Sequence, residues 1–153
     1  MTGTYLTFLL YGELYAIQVD KVLEVLEKQE LTLVPNAPEV ILGVLNFRGN
    51  VVPVYQTCMV LNLTKQYDNS DYFIIILELI TENGSFNLGA IVDKVKGVIQ
   101  INDDEIKSTP PMSKDYNAEV IKGIVKYKDD FILIMDVDKL FAKKDVKTQD
   151  DAG

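Results

Sequence analysis

The sequence has no histidine and a single cysteine, Cys58, among its 153 residues. Without histidine there is no imidazole to serve as general base, as the commonest metal ligand or as the phosphoacceptor of a phosphorelay. One cysteine allows no intrachain disulfide and no cysteine metal cluster, and a lone thiol fits a reducing compartment. As a nucleophile Cys58 has no histidine to activate it, so a buried or half-buried thiol is expected. Basic charge is also scarce: 15 Lys+Arg against 23 Asp+Glu give a net charge of −8. That balance argues against nucleic acid, which needs a basic face to displace counterions, and against docking on an anionic membrane. Long hydrophobic runs are missing. The run Phe73 to Ile80 is interrupted by Glu78 and is too short to cross a bilayer. The apolar stretch Tyr5 to Tyr11 has no basic residue before it and no small-residue cleavage site after it, so no secretory signal is expected. The matches to the glycosylation sequon at Asn62 and Asn83 carry no weight in a chain that is not secreted.

What is present is apolar and strand-like. Apolar residues make up 48% of the chain, enough for a real core. The length suits one domain, or two small halves that share a core. Strands are expected at 5–10, 15–19, 51–55, 72–77, 88–92 and 131–135. Pro53 inside its run suggests an edge or a bulge. Helix signals are weak. Asp20 could cap a short turn through Val22, Val25 and Leu26, and residues 137–141 could close the fold as a short helix.

The chain repeats itself. Residues 39–54 align without gaps on residues 119–134, with Glu, Val, Ile and Gly identical and the apolar positions coincident. Upstream of each lies Val-Asp-Lys-Val, at 19–22 and again at 92–95. The common order predicts two small barrels of similar topology, whose closure removes exposed strand edges. The junction is expected in the polar stretch from Asn62 to Asp71.

Other features have plainer readings. The clusters Asp103-Asp104-Glu105, Asp129-Asp130 and Asp150-Asp151 lie beside turn or tail residues without companion ligands, so solvated loops are expected rather than metal or acid–base sites. A receiver domain would need alternating strands and helices, and no long helix is in view. Arg48 is the only arginine and sits beside Gly49 and Asn50, a turn signal. The glycines at 43, 49, 89 and 123 suggest tight turns or close backbone approach.

Several of these pieces resemble the CheW family of chemotaxis coupling proteins. They are Tyr5-Leu-Thr-Phe-Leu-Leu10, Tyr15-Ala-Ile17, Lys21-Val-Leu-Glu-Val25 and Val34-Pro-Asn-Ala-Pro38. Ile41 through Gly49, Val52-Pro53, residues 88–95 and Ile121-Lys-Gly123 continue the likeness, which covers roughly residues 5 to 141. Tyr55-Gln-Thr-Cys58 and Lys94 depart from the family pattern, as does the charged hairpin Lys126 to Asp130.

The resemblance implies an all-β fold of two SH3-like five-stranded barrels sharing an apolar seam, with short helical segments. It places subdomain one at about 14–70 and subdomain two at about 71–141 plus a strand exchanged from the N-terminus, with 142–153 as a frayed tail. It implies a non-catalytic cytoplasmic adaptor, recruited to receptor arrays at the inner face of the membrane without inserting into it. Such an adaptor links the cytoplasmic hairpin tip of a chemoreceptor to the regulatory domain of a chemotaxis histidine kinase. That domain is itself CheW-like, and the two alternate in rings. No cofactor, metal or nucleic acid is implied. The residues it puts on partner surfaces are Val22, Glu24, Gly43, Arg48, Phe73, Ile74, Gly89, Val95 and Val98, with Glu24 as the carboxylate partner of Arg48. The alternatives are a divergent adaptor of a pathway for surface motility, or a small β-barrel enzyme or ligand-binding protein. The missing histidine and the missing Gly-rich phosphate loop count against the last.

Overall fold

A computed structural model describes residues 1–63, 71–108 and 120–142. The middle of the expected junction, Glu119 of the repeat, the Asp150-Asp151 cluster and the expected tail from 143 on lie outside the described residues. Ten strands run in chain order. They are β1 (Thr2–Leu10), β2 (Glu13–Gln18), β3 (Val22–Glu27), β4 (Ile41–Phe47) and β5 (Asn50–Tyr55), then β6 (Phe73–Thr81), β7 (Gly84–Val92), β8 (Lys94–Asn102), β9 (Ile121–Tyr127) and β10 (Asp130–Met135). A one-turn helix, α1 (Thr57–Val60), follows β5, and residues 137–142 are helical after β10.

The strands form two five-stranded sheets, ordered β8-β1-β2-β10-β9 and β3-β6-β7-β5-β4. Both curl into the SH3-like barrels that the all-β reading predicts. The two orders are the same topology: β8, β1, β2, β10 and β9 stand where β3, β6, β7, β5 and β4 stand. Each sheet has one parallel pair, β10 with β2 and β5 with β7. Each also has its hairpin closed in the same register, Phe47 opposite Asn50 and Tyr127 opposite Asp130. The repeat seen in the sequence is therefore a structural duplication.

The partition at about residue 70 does not follow the sheets. The first half contributes β1 and β2 to the sheet that holds β8, β9 and β10. The second half returns β6 and β7 to the sheet that holds β3, β4 and β5. The leading hairpins are exchanged in both directions, whereas the family resemblance implied exchange from the N-terminus alone. Each exchanged hairpin has its own sheet on one side and the other sheet on its back. That is why β1 and β6 are apolar on consecutive positions, Phe8 to Leu10 and Phe73 to Leu77, rather than alternating. Ile74, Ile75, Ile76 and Leu77 are all fully buried, and Leu6 and Phe8 of β1 are buried. One core cluster runs through both sheets, joining Leu6, Phe8 and Ile17 to Val54, Ile76 and Ile91; a smaller one around Ile101, Val125 and Ile134 fills the second barrel. Each such side chain contributes about 1.5–3 kcal/mol of burial.

The segment with Val22, Val25 and Leu26 is a strand, not a helical turn. Only Val19–Lys21 forms a single 3-10 turn, and β3 then pairs antiparallel with β6, Val25 opposite Ile75. Pairing with a buried strand outweighs a short run of helical spacing. Pro53 is not on an edge strand, because β5 lies between β7 and β4. The β5–β7 pairing covers only Val54 and Tyr55, so the missing N–H of Pro53 falls just outside it.

Gly43 and Gly123 do the same work in the two copies. A flanking segment crosses each hairpin, bridging Thr32 to Val44 and Lys107 to Ile124. A Cβ at Gly43 would stand 2.8 Å from the Thr32 carbonyl oxygen, and one at Gly123 would stand 2.7 Å from that of Lys107. Only glycine admits so close a backbone.

Candidate functional site

The turn between β4 and β5 carries the single arginine. Arg48 and Gly49 both have positive φ, 52° and 85°. That is the type I′ geometry whose twist suits a two-residue hairpin, and it explains Gly49. The Asn46 side chain accepts the Gly49 N–H at 3.0 Å and holds the turn. The Arg48 guanidinium lies over the Phe47 ring, 4.7 Å from its centroid.

Glu24 comes from β3, the opposite edge of the same sheet. Its neighbours Val22, Leu23, Val25 and Leu26 are half-buried, and Glu24 points to solvent. Arg48 Nη2 and Glu24 Oε1 are 3.8 Å apart, with both side chains largely exposed. A pair so open contributes less than about 1 kcal/mol to stability. Its effect is on shape: it holds two long side chains over the gap between β3 and the β4–β5 hairpin.

The other residues that the resemblance singles out divide by burial. Val22 and Phe73 are half-buried beside Glu24, with Phe73 opposite Glu27 on β3. Ile74 is 0% exposed, so its side chain offers nothing to a partner. It faces Gly89, where a Cβ would stand 2.8 Å from Ile74 Cγ2 and 3.2 Å from Val54 Cγ2. Gly43 and Gly89 are buried too, so they shape the backbone under a surface rather than form one. Val95 and Val98 lie on β8, in the other barrel; Val95 is half-buried and Val98 is 57% exposed.

The two barrels differ at corresponding places. Glu24 faces Ile76 just before an irregularity in the β3–β6 pairing, and Gly97 faces Thr7 just before the matching one in β8–β1. Gly97 thus stands in the position of Glu24, and Lys128 in that of Arg48. The position of Glu24 therefore holds no carboxylate in the second barrel. A groove of about 310 Å³ opens there, lined by Gly97, Val98, Ile99, Tyr127 and Lys128 among others, although Asp130 of the hairpin itself lines the same groove as Lys128. Both differences follow from the repeat in the sequence: Val-Asp-Lys-Val at 19–22 and 92–95 sets Gly97 at the offset of Glu24, as the 39–54 and 119–134 alignment sets Lys128 on Arg48.

The acidic cluster at 103–105 is a capping device. The Asn102 side chain accepts the Asp104 N–H at 3.1 Å, and Glu105 Oε1 accepts the Asn102 N–H at 2.9 Å. Among the described residues no group of three His, Cys, Asp or Glu could hold a metal ion. Cys58 is fully buried in α1. Burial raises the phenol pKa values of Tyr5, Tyr15 and Tyr72 above the usual 10.0, with nearby Asp103 and Asp20 adding to the effect at Tyr5 and Glu13 and Cys58 at Tyr15. These shifts follow from packing and mark no reactive centre. Among the described residues no helix is long and apolar enough to cross a membrane. The contact that sequence reasoning missed altogether is an ion pair between Lys21 and Asp138.

Comparison with known proteins gives a consistent result. The family model described as the CheW-like domain matches residues 4–145. The chemotaxis protein CheW of Bacillus subtilis is 33% identical over 140 residues, covering 91% of this chain and 86% of that protein. The chemotaxis protein CheW of Treponema pallidum is 27% identical over 148 residues, covering 92% and 83%. Among solved structures, the scaffolding protein TtCheW from Thermoanaerobacter tengcongensis aligns with a TM-score of 0.77 at 32% identity, covering 92% of this chain and 88% of that one.

Proposed function

The chain belongs to the CheW-like domain family, and from that premise we propose that it is a non-catalytic adaptor of chemotaxis signalling that holds a receptor and a kinase together. The observation that carries this reading is the likeness to a scaffolding protein across nearly the whole chain, both barrels included. An adaptor needs two faces on one rigid body, and the fold supplies two barrels joined by a continuous core.

The partners in this reading are the cytoplasmic hairpin tip of a chemoreceptor and the regulatory domain of the chemotaxis kinase. The chain then works in the cytoplasm, gathered at receptor arrays on the inner face of the membrane. The residues offered to the partners are Glu24, Arg48, Val22 and Phe73 on the first barrel, and Val95 and Val98 on the second. Gly43, Gly89 and Ile74 support those faces from beneath. An acidic chain of net charge −8 has no need of nucleic acid or lipid in this role.

The test is a pull-down with the purified chain, using a receptor-tip fragment and the kinase regulatory domain separately as bait. Capture by each bait supports the adaptor reading. Capture by neither, with a thermal shift on adding a small metabolite, supports a ligand-binding barrel instead.

A further inference from the structure

The last described segment crosses from one barrel to the other. β10 belongs to the sheet of β1 and β2, yet the helical turn at 137–142 that follows it buries Val137, Leu140 and Phe141 in the core common to both sheets. The Phe141 ring meets Tyr55 of β5 edge-on, with centroids 5.4 Å apart. This turn is a strap laid over the seam.

Asp138 sits on the strap, and its two oxygens go different ways. Oδ2 lies 2.6 Å from Lys21 Nζ, and Oδ1 accepts the backbone N–H of Ile80 at 3.2 Å. Lys21 belongs to the short turn between β2 and β3, where the chain leaves one sheet for the other. Ile80 lies on β6 beyond Leu77, the last residue that β6 pairs with β3. Its N–H is therefore past the reach of the neighbouring strand and needs another acceptor. One carboxylate ties together the strap, the crossover and the uncovered end of β6.

The pair is better shielded than Glu24–Arg48: its side chains are 20% and 32% exposed, against 44% and 66%. Partial burial strengthens the attraction and lessens its screening by salt. Among the described residues the other copy has no counterpart. Extending the alignment of β5 on β10 by four residues sets the buried Cys58 where Asp138 stands.

We propose that Lys21 and Asp138 form the catch of this strap and so fix the orientation of one barrel on the other. Releasing the catch loosens the seam and widens the range of barrel orientations, while both sheets and their shared core stay folded. The catch works in the same way whichever proteins the barrels hold.

The experiment places spin labels on cysteines introduced at Glu27 and Gln100, exposed positions on β3 and β8. The distance distribution is then measured in the full chain, in Lys21→Met, in Asp138→Asn and in Asp138→Ala. Asparagine keeps an acceptor for Ile80 and loses the charge; alanine loses both. The distribution should be narrow in the parent and at least about twofold broader in all three variants, with circular dichroism unchanged. Amide exchange at Ile80 should quicken about tenfold in Asp138→Ala and much less in Asp138→Asn. Should Asp138→Ala not fold, Lys21→Met and Asp138→Asn still decide the matter. An unchanged distribution in both overturns the proposal, and so does loss of the folded sheets in Lys21→Met.

Discussion

Arg48 and Glu24 belong to opposite edges of one curled sheet, and their charged groups meet at 3.8 Å across the gap between β3 and the β4–β5 turn. The pair is exposed, so it adds little to stability, and the proposed function gives it a place on the receptor-facing surface.

Arg48→Glu should place two carboxylates side by side where an attraction stood. With both groups open to solvent, stability should fall by less than about 1 kcal/mol. Receptor-tip binding should fall more than kinase binding. The check is both affinities and the melting temperature for Arg48→Glu, Glu24→Arg and the double exchange. Partial recovery in the double exchange supports the pair. Unchanged receptor affinity in both folded single variants removes the pair from the receptor face.

Gly43→Ala should be costly although it adds one methyl group. The new Cβ would press on the Thr32 carbonyl oxygen, and backbone cannot swing aside as a side-chain end can. A loss of about 1–3 kcal/mol is expected, which lowers the melting temperature by roughly 3–10 °C. Gly123→Ala should behave alike, because Lys107 takes the place of Thr32 there. A variant as stable as the parent would show that the crossing segment yields freely.

The reciprocal exchange of hairpins predicts how a cut chain behaves. A protease site placed between Leu63 and Asp71, once cleaved, should leave two fragments that migrate together and unfold in one transition. Each sheet would still hold strands from both fragments. Fragments that separate on a sizing column without denaturant would contradict the exchanged arrangement.

Alkali should destabilise the fold. Burial raises the pKa values of Tyr15 and Tyr72 above 10.0. The unfolded chain loses these protons first, so the folded state binds more of them as the pH passes 10. The stability due to these tyrosines is intact below that pH and is lost above it. Melting temperatures from pH 8 to 11 should fall, and less steeply in Tyr15→Phe. Equal slopes in parent and variant would contradict the assignment.

The hairpins at 41–55 and 121–135 were legible because strand runs, turn residues and a crowded glycine recur with one spacing. The strand β8 could have been read as well. Val95, Ile99 and Ile101 alternate with Lys94, Lys96, Val98 and Gln100, and the burial of β8 alternates with them over most of its length. The exchange of hairpins was not legible in full. β1–β2 and β6–β7 have the same apolar pattern, so local sequence cannot say which sheet each one joins. Ile74 was open to misreading because a strand buried on both faces has no polar residue to mark its outer side. Glu24 and Arg48 were paired by family resemblance, whereas nothing local joins Lys21, Ile80 and Asp138, which only the crossover brings together.

The adaptor role proposed for this protein requires one chain to hold two proteins at once. The direct measurement is sedimentation velocity of the chain with a receptor-tip fragment and the kinase regulatory domain, together and in pairs. A species containing all three, larger than either pair with the chain, is the predicted result. Competition, in which each partner displaces the other from the chain, would contradict it.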